Sequence, residues 1–385
     1  MSERVRVAVL GSTGSIGRQA LDVLAALPER FRVTALAAGK GESTFSEQVA
    51  RFSPRLTALA KDGPAALEDI ATSDDVDLVL VGTTGVVGLG PTIAALKAGK
   101  VVATANKETL VAGGHLVMPL ARDLATKHGD KDAATGALNY LRPIDSEHSA
   151  IWQCLAGERR DNVRRLILTA SGGPFRGWSA DRLASVTPAQ ALAHPTWRMG
   201  GKITVDSATL MNKALEVIEA RWLYDFPDDQ VDVVVHPQSI VHSMVEFADG
   251  SLKAQLGLPD MRIPIQYALT YPEHLPSPAP RLMGADIPTL SFEPVDTDRF
   301  LALAIGRAAG RQGPRASAAL IAADDVAVDR FLAGSLSFTG IAELCADAVT
   351  RFGDGGAPEL PELQALDDEV RAWAATATPA GASRP

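Results

Sequence analysis

The sequence predicts an α/β chain: a doubly wound, mostly parallel sheet, a second α/β region, a connector and a C-terminal helical bundle. Three observations lead there. Strand and helix signals alternate through the first third, as parallel βαβ units require. A glycine-rich stretch, GSTGSIG at 11–17, joins the first strand to the first helix. Six prolines (272, 276, 278, 280, 288, 294) interrupt residues 271–294, and only helical spacing follows them.

In the first third, VRVAVLG (5–11) is a β-rich run, SIGRQALDVLAAL (15–27) has helical spacing and FRVTALAAG (31–39) is a second strand. DVDLVLVG (75–82) and KVVATANK (100–107) are further strands, and PTIAALKAG (91–99) between them is a helix closed by Gly99. A helix over 147–156 marks the exit from this region. The second region has strands at RRLILTAS (164–171), GKITVDS (201–207), DVVVHPQ (232–238) and SMVEFA (243–248). DSATLMNKALEVIEARWLYDF (206–226) reads as one helix, with Met211, Leu215, Ile218 and Trp222 on one stripe. Helices are expected near 298–310, 315–333, 338–352 and 360–375, with ATPAGASRP as a frayed tail.

Length and composition bound the reading. A chain of 385 residues has room for roughly two or three domains, each with its own core. A hydrophobic share of 46% and a charged share of 22% suit a globular protein rather than a disordered or membrane-spanning one. The net charge of −9 argues against nucleic-acid and anionic-membrane partners, which need a basic surface. Cys154 and Cys345 are too few for a disulfide framework or a thiolate metal cluster, and Cys154 in AIWQCL reads as an inert buried thiol. No signal peptide or membrane-length apolar run is visible, so a cytoplasmic location is expected.

The glycine stretch carries the first chemistry. Gly11, Gly14 and Gly17 allow a tight turn, and the helix start then offers N–H groups to a pyrophosphate. NAD-specific sites place an acid at the end of the next strand. Here ALAAGKGE (35–42) supplies Gly39 and Lys40 instead. A lysine neutralises a 2′-phosphate, so NADP(H) is preferred over NAD(H); a solvated loop lysine is the competing reading. TANKETL (104–110) ends another strand, which places Asn106, Lys107 and Glu108 near the nicotinamide unless they are ordinary loop polar groups.

The second region gathers polar groups. Asn212, Lys213 and Glu216 lie three and four apart on a helix and can reach one edge of a pocket, or form a plain surface pair. Ser171 in TASGGPFRG and Ser207 in VDSATLMNK can hold an anion, or serve as turn former and cap. HPTWRMGGK (194–202) reads as a lid with Trp197 and glycine hinges, or as a core tryptophan where a strand begins. In PIDSEHSA (143–150), Asp145 suits a helix N-cap and Glu147 a first-turn acid. With a third hard oxygen ligand such as Glu216, the pair becomes a Mg²⁺ or Mn²⁺ site.

Taken together, GSTGSIG, AGK, ANKE, DSEH, SGGPF, HPTWRMG, VDSATLMNKALE and HPQSIVHSMV resemble, in that order, the 1-deoxy-D-xylulose 5-phosphate reductoisomerase family over residues 5 to 350. The resemblance implies Asp145, Glu147 and Glu216 as divalent-metal ligands. It implies substrate contacts at Lys107, Ser146, Glu147, Ser171, His194, Ser207, Asn212, Lys213 and Glu216. Lys107, Glu147, His194 and the flap residue Trp197 are the implied catalytic positions. NADPH contacts are implied at Thr13, Gly14, Ser15, Ile16, Gly39, Lys40, Gly41, Asn106, Glu108 and Gly200.

The implied architecture is a Rossmann-like NADPH domain (1–145) and an α/β catalytic domain (146–270) with a flap near 194–202. A linker (271–295), a helical domain (296–375) and a flexible tail (376–385) follow, in a homodimer. The implied reaction converts 1-deoxy-D-xylulose 5-phosphate to 2-C-methyl-D-erythritol 4-phosphate in isoprenoid-precursor synthesis. Two departures stand out: AADDV at 322–326 where the family commonly has AANEV, and Gly41 for a frequent asparagine. A homoserine-dehydrogenase-like enzyme gives no reason for three acids plus a phosphate pocket. A semialdehyde dehydrogenase needs an activated cysteine, and an NADP(H)-binding sensor needs no metal.

Overall fold

A computed structural model describes residues 4–41, 43–130, 135–197 and 199–379. The chain begins with β1 (Val5–Leu10), α1 (Ser15–Ala26), β2 (Phe31–Ala38), α2 (Ser43–Phe52) and β3 (Leu56–Leu59). Next come α3 (Ala65–Thr72), β4 (Leu78–Val81), α4 (Leu89–Lys97), β5 (Val101–Thr104), α5 (Lys107–Val111) and α6 (Gly114–Lys127). β6 (Leu141–Pro143), α7 (Ser146–Leu155), β7 (Val163–Ala170), α8 (Ala180–Leu183) and α9 (Pro188–Ala191) follow. The next elements are α10 (Gly201–Thr209), α11 (Met211–Tyr224), β8 (Val231–Val235), β9 (Val241–Phe247), β10 (Leu252–Leu256) and α12 (Arg262–Thr270). Last are β11 (Glu293–Pro294), α13 (Leu301–Gln312), α14 (Pro314–Leu332), α15 (Phe338–Phe352) and α16 (Leu360–Ala374).

The described chain forms two compact units. The first holds the residues up to Thr109, then Leu116–Asn162 and Asp260–Leu282. Its sheet runs β3-β2-β1-β4-β5-β6, every pair parallel, which is the doubly wound dinucleotide-binding order. Alternate faces of a parallel sheet must both be covered, so its strands read as continuous apolar runs. Val7, Val9, Leu36, Leu80 and Ala103 pack with Leu21 and Leu24 of α1 and with Ile265, Ala268 and Leu269 of α12.

The second unit holds Leu110–His115, Val163–Pro259 and the residues from Met283 onward. Its mixed sheet runs β10-β9-β7-β8-β11, with only β7 and β8 parallel. Ala170, Val205, Ala208, Leu210, Val328, Phe331, Phe338 and Leu344 share its core. The four C-terminal helices lie where their apolar spacing predicted them.

Two expectations are corrected here. Residues 201–207 are not a strand: they open α10, which starts from Gly200 as N-cap. The β-branched run Ile203–Thr204–Val205 imitated a strand, but the apolar and threonine positions buried in this segment (Thr204, Val205, Ala208, Thr209, beside Asp206) recur at helical spacing. Nor is 206–226 one helix. Leu210 takes φ 64°, in the left-handed region, and splits the segment into α10 and α11. Among the described residues no helix is long and apolar enough to cross a membrane. Residues 380–385, part of the expected tail, lie outside the described residues.

Candidate active site

In the first unit the glycine loop is dictated by contact. Gly11 has φ 84°, and a Cβ there would stand 2.6 Å from the carbonyl oxygen of Gly82. A Cβ on Gly17 would stand 2.3 Å from the carbonyl oxygen of Gly11. Only glycine lets β1, α1 and the end of β4 approach this closely. Gln48 on α2 donates to the carbonyl of Ser12 at 2.9 Å and fixes the loop from outside. Gly14 caps α1 in an extended conformation without a side-chain hydrogen bond. Gly14 and Ser15 are exposed, and Thr13 and Ile16 half-buried. Gly39, Lys40 and Gly41 lie exposed just after β2.

Asn106 and Glu108 have a role the sequence did not suggest. Asn106 is buried, and its Nδ2 donates to the carbonyls of Thr83 at 3.0 Å and Gly85 at 2.9 Å. Its Oδ1 accepts from the N–H and hydroxyl of Thr109 at 2.8 and 2.6 Å. Glu108 Oε1 accepts from the N–H of Gly85 at 2.8 Å. Both residues therefore shape the GTTG loop (82–85) that follows β4. That loop went unnoticed, although its position after a strand of a doubly wound sheet marks the ligand crevice.

The DSEH segment opens a helix, as its capping reading expects. Asp145 is the N-cap of α7, its Oδ1 accepting from the N–H of Glu147 at 3.1 Å. Its Oδ2 accepts from Lys107 Nζ. Ser146 Oγ donates to Glu147 Oε2 at 2.5 Å. All three residues of the 145–147 segment are half-buried. Capping fixes where the carboxylates stand without using all of their lone pairs.

The second unit brings together Ser171, His194 and Ser207. His194 Nε2 lies 3.0 Å from Ser171 Oγ and 3.1 Å from Ser207 Oγ. The N–H groups of Thr196 and Trp197 donate to Nδ1 at 3.1 and 2.9 Å. Nδ1 is therefore the bare nitrogen and Nε2 carries the hydrogen. Burial pushes the imidazole pKa below its usual value, which favours this neutral form. Gly173 allows the turn to lie against α10, since a Cβ there would stand 2.9 Å from the carbonyl oxygen of Ser207. The Trp197 N–H bond ties the start of the 194–202 stretch to His194, in a loop that leads into a helix rather than a strand. Trp197 is half-buried and Gly200 exposed.

On α11, Glu216 is fully buried. Asn212 Nδ2 donates to its Oε1 at 2.5 Å, and Lys213 Nζ to its Oε2. Lys213 is buried too, so Asn212, Lys213 and Glu216 form an interior triplet rather than a solvated surface pair.

A doubly wound unit with an uncapped glycine-loop helix start, in a chain whose second unit is rich in anion-binding donors, defines a dinucleotide-dependent oxidoreductase acting on an acidic small molecule. Profiles of one family match most of the chain. The 1-deoxy-D-xylulose 5-phosphate reductoisomerase profile matches 7–65 and 57–114, its C-terminal domain 141–224, and the DXP reductoisomerase C-terminal domain 256–373. The 1-deoxy-D-xylulose 5-phosphate reductoisomerase of Pelotomaculum thermopropionicum is 48% identical, over 95% of this chain and 96% of its own. That of Thermomicrobium roseum is also 48% identical, over 96% and 97%. A crystal structure of DOX-P reductoisomerase with NADPH, fosmidomycin and magnesium superposes with TM-score 0.86 at 37% identity, over 96% of this chain and 97% of that one. The Zymomonas mobilis enzyme with NADPH gives TM-score 0.85 at 36% identity, over 97% and 98%. The chain belongs to the 1-deoxy-D-xylulose 5-phosphate reductoisomerase family.

Proposed function

We propose that the protein converts 1-deoxy-D-xylulose 5-phosphate to 2-C-methyl-D-erythritol 4-phosphate with NADPH and a divalent cation. The observation that carries this reading is identity near half over nearly the whole chain to relatives of that name. The cofactor fits the exposed glycine loop and Lys40, contacted by Thr13, Gly14, Ser15, Ile16, Gly39, Gly41 and Gly200, with Asn106 and Glu108 holding the neighbouring loop. The family resemblance implies Asp145, Glu147 and Glu216 as the ligands of that cation, and all three are hard oxygen donors suited to Mg²⁺ or Mn²⁺. When bound, the cation supplies Lewis-acid polarisation of substrate oxygens and the reduced nicotinamide supplies hydride.

The remaining roles belong to the chain itself. Ser171, Ser207, Asn212, Lys213 and the Nε2–H of His194 hold the phosphate, which takes no part in bond making. Its binding energy orients the reacting end. Lys107 and Ser146 hold substrate oxygens beside the acids they already bond. Trp197, on the flap near 194–202, excludes water. Residues 1–145 serve cofactor binding, 146–270 catalysis, 271–295 connection and 296–375 bracing, with 376–385 as a tail. The protein works as a homodimer in the cytoplasm.

The reading is tested by following NADPH oxidation with 1-deoxy-D-xylulose 5-phosphate, with and without Mg²⁺ or Mn²⁺. Turnover that requires the metal is expected; no metal-dependent turnover overturns it. Lys40→Ala should weaken NADPH binding roughly tenfold and leave NADH binding unchanged, because one charge-assisted contact is lost. Fluorescence titration with both cofactors checks this, and equal affinities before and after the change would remove Lys40 from the 2′-phosphate.

A further inference from the structure

Three arginines of the second unit converge on one carboxylate. Arg311 Nη1 donates to Asp228 Oδ2 at 2.7 Å. Arg307 Nη1 lies 3.2 Å from Asp228 Oδ1, and its two terminal nitrogens donate to the carbonyls of Asp228 at 3.0 Å and Val231 at 2.5 Å. Arg221, on α11, lies over Gly310 of α13: a Cβ on that glycine would stand 2.9 Å from Arg221 Nη1. The helix thus leaves a space that the guanidinium fills. Among the described residues none hydrogen-bonds this half-buried group, although Asp228, Arg307 and Arg311 are its charged neighbours.

Among the described contacts, three guanidiniums share one carboxylate, on a chain whose net charge is −9. Burial and the adjoining guanidiniums, opposed by Asp228, push the Arg221 pKa below its usual value. Like charges held together favour an incoming anion. Planar guanidinium forks match phosphate oxygens two at a time, and like charges so grouped match a dianion. The Arg311 side chain is 55% exposed, so the cluster is open to solvent. Arg221 lies five residues beyond Glu216, about 7.5 Å further along the helix and roughly 140° around it. It therefore faces away from Glu216, the proposed metal ligand.

We propose that Arg221, Arg307 and Arg311 form a second phosphate site on this protein, which takes inorganic phosphate or a phosphate monoester as the dianion. The site is independent of the reaction proposed above, and the experiment keeps the two apart. Inorganic phosphate is titrated calorimetrically into the full-length protein at low ionic strength, where charge pairing is least screened. Ser171→Ala/Ser207→Ala, aimed at the substrate pocket, should retain a phosphate-binding class that Arg221→Gln/Arg311→Gln loses. Asp228→Asn removes the competing carboxylate and should tighten that class roughly fivefold, a gain that misfolding cannot imitate. Repeating the titration with a simple phosphate monoester separates the two forms of ligand. Unchanged binding in Arg221→Gln/Arg311→Gln overturns the proposal. So does an unaltered affinity in Asp228→Asn, or loss of all phosphate binding in Ser171→Ala/Ser207→Ala.

Discussion

Glu216→Gln is expected to lower turnover at least about a hundredfold while NADPH binds within a factor of about two of its wild-type affinity, as for loss of an anionic metal ligand. Glutamine matches glutamate in shape but carries no charge, and its amide nitrogen faces donors rather than acceptors. Asn212 and Lys213 both donate to the Glu216 carboxylate, so the substitution places a donor against a donor on one of them. Glu216→Asp, which keeps the charge but withdraws it by one methylene, should fall between the two. The measurement is metal-dependent NADPH oxidation alongside a fluorescence titration of NADPH. Near-normal turnover would remove Glu216 from the proposed ligand set.

Lys202→Met is expected to destabilise the protein by about 3 kcal/mol or more. Lys202 Nζ bonds Asp206 at 2.6 Å, reaches Asp325 at 3.4 Å and contacts Asp324. Asp206 and Asp324 are both buried against the same ammonium. Cys345 lies 4.0 Å from Asp324, and Arg371 bonds both Asp325 and Asp367 at 2.6 Å. Removing the lysine strands a buried negative charge. Adding Asp324→Asn to Lys202→Met should recover most of the loss, because it removes one of the two acids; urea denaturation of the four proteins checks this.

The same cluster sets a pH dependence. Burial raises the pKa of Asp206 well above the ordinary carboxylate range, with Asp324 adding to the rise and Lys202 opposing it. Asp324 is raised by burial too, again opposed by Lys202. A carboxyl raised in this way keeps its proton in the folded chain after the unfolded chain has lost it. Stability then falls as pH climbs above the unfolded value of 3.8 and through the folded one. Asp324→Asn removes one of the two raised carboxyls and should flatten that slope. The Asp-for-Asn departure in AADDV thus places a second buried carboxyl on Lys202, beside Asp206.

The parts of the fold that were legible in the sequence are those with an unambiguous apolar signature. The strands of the first third are near-continuous apolar runs because both faces of their sheet are covered, and the C-terminal helices bury one stripe. The strand expected at 201–207 failed because Ile203, Thr204 and Val205 satisfy a β pattern locally, while Gly200, Gly201 and the core around Val205 and Ala208 impose a helix. β3, β6 and β10, each of three to five residues, were too short to show a period. At the candidate site, residue types and order were readable, but partners were not. Nothing in ANKE announces that Asn106 spends its whole amide on the 83–85 loop and on Thr109. The tautomer of His194 is likewise invisible until the N–H groups of Thr196 and Trp197 are seen to point at Nδ1.

Leu210 deserves a last consequence. On an unbroken helix, Ser207 and Glu216 would stand about 13.5 Å apart and roughly 180° around from each other, on opposite walls of one cylinder. The left-handed turn at Leu210 replaces that cylinder with a corner, and its buried side chain pins the corner into the core. Ten consecutive residues can then address a common centre from two directions. Inserting or deleting one residue on either side of the corner would rotate one wall against the other, so the tolerance of this segment to length change should be far lower than its tolerance to substitution.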